Sequence, residues 1–298
     1  MKVVFESLSG CAGCEIAVLD LHEGLLDLLK RVELTYAPII LDPRTFDRSE
    51  IGIITGSVRT DEDVEKVKAL REKCTTLVTL GSCSCFGGVP GLANLFSPES
   101  IVKQSHEVNV APGSKIVEKK DIPRLEHWIV PVDDLVNIEA KIPGCPPPPK
   151  FIAEQLSTLL NGGSQRLSKK TVCDECDLQK EIKRIDKIRR WGEGKTDFSK
   201  CLLEQGYICL GIATRAGCES RCIKAGTPCR GCFGPAEKVK DAGAKLISAI
   251  ASTASLDSPE AMNPQQLAES FIDVVGTAYR FTLASSIIRK KASEGAAN

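Results

Sequence analysis

Cysteine offers the most chemistry in this sequence, and its spacing is patterned. Fourteen cysteines occur, and twelve form three sets of four. The first set is Cys11, Cys14, Cys83 and Cys145. The second is Cys173, Cys176, Cys201 and Cys209, and the third is Cys218, Cys222, Cys229 and Cys232. Ligands a turn apart, as in Cys11-x2-Cys14, Cys173-x2-Cys176 and Cys229-x2-Cys232, grip one edge of a metal site. A disulfide scaffold is excluded, because such chains are short, secreted and poor in core. This chain has 298 residues and is 42% hydrophobic. Iron–sulfur ligation accounts for the pattern best. Structural zinc also uses CxxC pairs and competes mainly in the second half. A zinc module of that kind often serves nucleic acid. Lys plus Arg equals Asp plus Glu at 39 each and aromatics are 5%, which weakens that alternative.

The elements that must position these thiols alternate between strand and helix. Lys2 to Glu6 reads as a first strand, and Glu15 to Lys30 as an amphipathic helix. Further strands are expected at Glu33 to Ala37, Ile51 to Thr55 and Thr76 to Leu80, with Trp128 to Val132 as the last. Thr60 followed by Asp63 forms a capping pair opening a helix through Lys73, and Lys150 to Leu160 resumes helix. This alternation predicts a parallel sheet covered on both faces. Pro90 to Leu125 is an unassigned insertion. Cys11 and Cys14, Cys83, and Cys145 then each follow a strand, so all share the carboxyl ends of the sheet. In open α/β sheets those ends form the ligand crevice. Cys11 and Cys14 alone also fit a thioredoxin-like dithiol; Cys83 and Cys145 at matching positions argue against it. The helix that Cys14 opens directs its positive end at the thiols. Gly13, Gly81 and Gly144 allow close backbone approach, and Pro146 to Pro149 stiffen the exit from Cys145.

The character changes after Asn161-Gly162-Gly163. Residues 164–235 carry eight cysteines with little apolar periodicity, so bound metal rather than a conventional core must fix the backbone. Helical pattern returns at Glu237 to Ile250 and again from Pro264 to Ile288. Two domains are expected, 1–160 and 161–298. Of the two remaining cysteines, Cys74 ends a helix as a small buried hydrophobe, and Cys85 stands near the first set. His22, His106 and His127 are read as structural. Glu15 is open to two readings, a helix-dipole partner or a proton carrier at a subunit boundary. Near-zero net charge argues against bulk binding to nucleic acid or anionic membrane. No apolar run approaches a spanning helix. KVVFES leads straight into Cys11 without room for an export signal, so a cytoplasmic location is expected.

At these residues the chain resembles the small subunits of NiFe hydrogenases over nearly its whole length. The matching pieces are CAGCE at 11–15, GSCSCFGG at 81–88, PGCPP at 143–147 and CRGCFGP at 229–235. The resemblance implies a flavodoxin-like first domain holding a proximal cluster on Cys11, Cys14, Cys83 and Cys145. An irregular, helix-containing domain follows. It implies a distal cluster on Cys173, Cys176, Cys201 and Cys209, and a medial one on Cys218, Cys222, Cys229 and Cys232. The hydrogen-splitting centre would lie in a separate large subunit. Two departures stand out. Cys173 replaces the histidine many members use, and Cys222 stands where many have proline, so three 4Fe-4S clusters are expected. The spacing Cys201-x7-Cys209 is wider than in many members. With VGTAYRFTL at 275–283, the chain is most similar to cytoplasmic, methyl-viologen-reducing (deazaflavin-non-reducing) enzymes of methanogenesis. Those pass electrons to an adaptor protein and a heterodisulfide reductase. The related Complex I subunit shares the first half but lacks the cysteine-rich second half. A cluster-carrying subunit of a non-hydrogenase oxidoreductase is the alternative reading.

Overall fold

The computed structural model describes residues 1–109, 122–181, 184–254 and 261–289. The side chains at 106–109 and 264, His106 among them, lie outside the described part. The chain forms two compact units, 1–163 together with the segment from 283, and 164–282.

The first unit opens with β1 (Lys2–Ser7), α1 (Gly13–Leu19), α2 (Glu23–Leu29) and β2 (Glu33–Tyr36). Next come β3 (Ser49–Thr55), β4 (Val58–Thr60), α3 (Asp61–Lys73), β5 (Cys74–Leu80) and α4 (Ser82–Phe86). A 3-10 turn at Val89–Leu95, α5 (Pro98–Asn109), β6 (Leu125–Val130), β7 (Ala140–Ile142) and α6 (Pro149–Leu160) follow. Five strands form a wholly parallel sheet in the order β2-β1-β3-β5-β7. Counting only these strands, that is the flavodoxin-like order 2-1-3-4-5.

Alternate side chains of each central strand go to opposite faces, and both faces are apolar. Val3, Ile51, Ile53, Val78 and Leu80 pack with Ile142, Ile152 and Leu156. Val4, Ile54 and Leu77 pack on the other side with Val67 and Leu70 of α3. Each such side chain contributes about 1.5–3 kcal/mol when buried. This explains the near-continuous apolar reading of IGIIT and TLVTL. The expected capping pair is present. Thr60 Oγ1 accepts from the Asp63 amide at 3.2 Å, and Asp63 Oδ2 accepts from the Thr60 amide at 3.0 Å. The same carboxylate accepts from Ser9 Oγ at 2.8 Å, which ties down the loop entering Cys11.

Four local expectations change. The helix expected over 15–30 is two, α1 and α2. The chain tightens after Leu19 through short bonds from Leu21 to Val18 and from His22 to Leu19, and His22 takes φ +50°. Asp20 and Gly24 are weak helix formers, which favours the break. The Trp128–Val132 run does not join the parallel sheet. It lies largely in β6, which pairs antiparallel with β4 in a separate two-stranded sheet. Asn94 takes the place of a further strand, exchanging bonds of 2.9 and 2.8 Å with the Ile129 backbone. Pro131 brings no N–H to extend the ladder. The last parallel strand is instead β7, so Cys145 follows that element. Cys74 opens β5 rather than ending α3, and it is buried as expected.

The second unit has little regular structure before α7 (Arg221–Lys224), followed by α8 (Ala242–Thr253), α9 (Pro264–Glu269) and α10 (Val274–Ala278). Isolated bridges such as Thr171 to Arg215 and Thr214 to Pro235 hold its earlier part together. The helix expected from Glu237 starts at Ala242, where Asp241 accepts from the Ala244 amide at 2.7 Å. The helix expected over 264–288 is interrupted. Asp273 caps a new start by accepting from the Gly276 amide at 2.7 Å, and a 3-10 turn at Leu283–Ser285 belongs to the first unit. Gly243 is required where α8 meets α10, because a Cβ there would stand 2.2 Å from the Tyr279 ring.

Candidate metal centres

The first centre is assembled by the ends of β1, β5 and β7. Cys11 sits in the loop after β1 and Cys14 in the first turn of α1. Cys83 lies in α4, directly after β5, and Cys145 follows β7. Two backbone bonds lock these ends together, from Gly81 N to Ile142 O at 2.8 Å and from Ser82 N to Gly144 O at 2.7 Å. Burial raises the Cys14 thiol well above its ordinary range, and the charges of Glu15, Cys83, Cys145 and Cys11 add to it. Cys83 is pushed up to about 12 by burial and then by Cys145 and Cys11. Cys145 is raised by burial and by Cys11. Cys11 and Cys145 are exposed and Cys14 and Cys83 half-buried; as thiolates they would repel one another, and a bound metal would supply the cation that lets them coexist. The backbone leaves room around these sulfurs. A Cβ on Gly81 would lie 2.3 Å from Cys14 Sγ, and one on Gly88 would lie 2.5 Å from Cys83 Sγ.

Two residues beside this centre have hydrogen-bond partners of their own. Glu15 is 8% exposed; its Oε1 accepts from Ser7 Oγ at 2.7 Å and from the Thr55 hydroxyl. Its carboxylate is thus satisfied by the ends of β1 and β3. Cys85 is buried with its Sγ 3.3 Å from Thr79 Oγ1, and burial pushes its thiol up to about 11.

The second set of cysteines lines one cavity of about 420 Å3. Cys173, Cys176, Cys201 and Cys209 share its wall with Leu202, Ile212, Lys180 and Arg184. A capping box at Thr171 and Asp174 shapes the first pair's turn, with Thr171 N donating to Asp174 Oδ2 at 2.7 Å. Cys201 N donates to Gln179 O at 2.7 Å and closes the long loop between Cys176 and Cys201. Burial pushes Cys173 up to about 12, with Cys209 and Cys201 adding and Lys180 opposing. Cys201 and Cys209 are raised chiefly by burial. The spacing Cys201-x7-Cys209 is accommodated by the turn in which Tyr207 N donates to Leu202 O at 3.0 Å.

Within the third set, charge coupling links Cys229 with Cys232. Cys229 is raised well above its ordinary range by burial and then by Cys209, with Cys232 a smaller cause. Its amide donates to Cys209 Sγ at 3.3 Å, which joins the second and third sets. Cys222 is exposed on α7. Cys218 has an unexpected neighbour. Glu175 accepts from Gly217 N at 2.9 Å and Ser220 N at 3.0 Å, and its Oε1 lies 3.5 Å from Cys218 Sγ. Cys218 is pushed up to about 11, first by burial and then by this carboxylate. Glu175 carries no sequence signal beyond its place in Cys173-Asp-Glu-Cys176.

Among the described residues, no three His, Cys, Asp or Glu side chains are arranged to hold a single metal ion. One zinc takes thiolates at about 2.3 Å, so their sulfurs stand at most about 4.6 Å apart. A cluster with one thiolate per iron spreads its ligands wider. The all-thiolate donor sets and the cavity suit that arrangement.

A flavodoxin-like sheet with cysteines at three strand ends is an arrangement suited to an oxidoreductase subunit of iron–sulfur type. Residues 11–159 match the family described as NADH ubiquinone oxidoreductase, 20 Kd subunit. A subunit of the F420-non-reducing hydrogenase (vhu) of Methanocaldococcus jannaschii is 39% identical, with 98% of each chain covered. The corresponding subunit from Methanococcus voltae is 39% identical over 95% of this chain and 96% of its own. A solved NAD+-reducing [NiFe]-hydrogenase in the H2-reduced state contains a chain that superposes with a TM-score of 0.53 at 30% identity. That alignment covers 56% of this chain and 94% of the other. The chain belongs to the family of NiFe-hydrogenase small subunits, within the F420-non-reducing type, and is a hydrogenase electron-transfer subunit. Small subunits of this family pair with a large NiFe subunit. No helix among the described residues is long and apolar enough to cross a membrane.

Proposed function

We propose that this subunit holds three 4Fe-4S clusters on the three cysteine sets, proximal, distal and medial in the order of the sequence. When bound, the clusters supply one-electron carriage between the NiFe site of the large subunit and an acceptor protein. The observation that carries this reading is the convergence of the second set, all four thiols on one cavity. The mutual charge coupling of the first set supports it further.

The chain's own residues do three things. Cysteine thiolates bind iron, and their number per set fixes cluster type. Gly81 and Gly88 keep side chains out of the space beside Cys14 and Cys83. Burial and nearby backbone N–H groups, such as those of Gly211 and Cys229 at Cys209, tune the sulfurs. The exposed apolar residues of α1, α2 and the loop after β2, Ile16, Leu19, Leu26, Leu29, Ile39 and Ile40, suit burial by the large subunit. The fourth thiolate at Cys222 favours a low-potential acceptor. On this reading the complex works in the cytoplasm of a methanogenic metabolism, with an adaptor protein and heterodisulfide reductase as partners.

Anaerobic purification with iron, sulfide and zinc analysis tests this. About twelve irons and matching acid-labile sulfide per chain are expected. Zinc as the main metal, or about four irons, would sink the three-cluster reading.

A further inference from the structure

We infer that Glu175 is a positioning residue that lowers the reduction potential of the site built on Cys218, Cys222, Cys229 and Cys232. The inference rests on the cluster reading above. Glu175 lies between two cysteines of one set, yet its side chain serves the other. Its two carboxylate oxygens accept from Gly217 N at 2.9 Å and Ser220 N at 3.0 Å, the residues flanking Cys218 and Glu219. Its backbone carbonyl accepts from Ser220 Oγ at 3.3 Å. The grip is specific in conformation, because Ser220 is 2% exposed and takes φ +50°, and Gly217 takes φ +126°. The loop carrying Cys218 is thus shaped around a carboxylate contributed from the Cys173–Cys176 turn.

The same geometry brings Oε1 to 3.5 Å from Cys218 Sγ. A carboxylate this close to a ligating sulfur opposes arrival of a further electron. Net charge and hydrogen bonds to sulfur are among the determinants of cluster potential. Glu175 acts on both. It adds negative charge beside the sulfur, and it shares the Ser220 amide, which also donates to Cys218 Sγ, so the sulfur receives less of that bond. Its effect has the same sign as that of the fourth thiolate, Cys222.

The test is an EPR-monitored potentiometric titration of the assembled complex, wild type against Glu175→Gln. Glutamine removes the charge and keeps one of the two acceptor oxygens, enough for one of the two loop amides. Unchanged iron content with an upward shift of the medial potential is expected. The proximal potential should stay in place and the distal one should move less. Full iron content with an unmoved medial potential would overturn the inference. If Glu175→Gln does not load its iron, Glu175→Asp decides. A loaded medial site close to the wild-type potential supports a charge effect, and a raised potential or an empty site overturns it. Wild-type protein lacking a medial signal would instead refute the cluster reading itself, and the inference with it.

Discussion

Replacing Gly81 with alanine puts a methyl carbon 2.3 Å from Cys14 Sγ. Ordinary contact starts at 3.4 Å, so the sulfur must retreat by 3.4 − 2.3, roughly 1.1 Å. Metal–ligand distances tolerate about 0.2 Å. The displacement is roughly five times that tolerance, and it cannot be relieved by the tip of a long side chain. Gly81 also has φ 94° and ψ 159°, a region adopted almost only by glycine. The backbone strain costs about 1–3 kcal/mol. In a domain of this size that alone lowers Tm by roughly 2–4 °C per kcal/mol. Gly162→Ala separates the two effects, since Gly162 has φ +72° and nothing within 4 Å of its Cβ position. Both variants should melt earlier than wild type. Only Gly81→Ala should lose iron, about four of about twelve per chain, with the other two sets filled. Iron analysis and visible absorption after anaerobic purification read this directly. Full iron in Gly81→Ala, with only the thermal shift, would refute the claim that this glycine makes room for a ligating sulfur.

Cys222→Pro should convert the medial site to a 3Fe-4S centre, visible by EPR in the oxidised state, and raise its potential. Reduction of low-potential acceptors by hydrogen should slow while high-potential dyes are spared. Folding should survive, because Cys222 is the second residue of α7, where a missing N–H breaks no helical bond. An intact cubane with unchanged kinetics would show that Cys222 is not a ligand. Glu6 supplies a pH test. It is 2% exposed, burial raises its pKa from 4.5, and the Tyr36 hydroxyl, donating at 2.9 Å, opposes the rise. A raised folded-state pKa means its favourable contribution is full below about 4.5 and is lost as pH rises through the folded value. Glu6→Gln should therefore gain stability over wild type progressively above that pH, measured as urea midpoints; a pH-independent difference would contradict this.

The parallel strands were legible wherever a strand is buried on both faces. IGIIT and TLVTL show this plainly, because tertiary burial and local composition agree there. β7 was not, since three residues, Ala140-Lys141-Ile142, present no periodicity. Trp128–Val132 looked more strand-like and does form β6, but pairing with β4 depends on distant residues, and Asn94 imitates a strand through one amide. The break between α1 and α2 turns on the backbone at His22, which an apolar repeat does not register. At the first site, motif and sheet geometry select the same crevice, so Cys11, Cys14, Cys83 and Cys145 could be grouped before any coordinates. In the second unit no periodicity exists to read. Spacing named the cysteines there, but the cavity that gathers four of them and the reach of Glu175 to Cys218 arise from loop geometry alone.

The uncovered leucines and isoleucines along α1 and α2 have a consequence for how a cell must make this protein. Leu26 is 59% exposed and Ile16 55%, in a chain whose sheet is otherwise well covered. An orphan copy carries a greasy flank that other orphans recognise as readily as the rightful companion does. Synthesis in excess of the large subunit is then self-limiting, because surplus chains are lost to clumping or to quality control. Balanced translation of the two polypeptides becomes a physical requirement. For the laboratory the corollary is that yield should follow the ratio of the two messages more closely than the strength of either promoter.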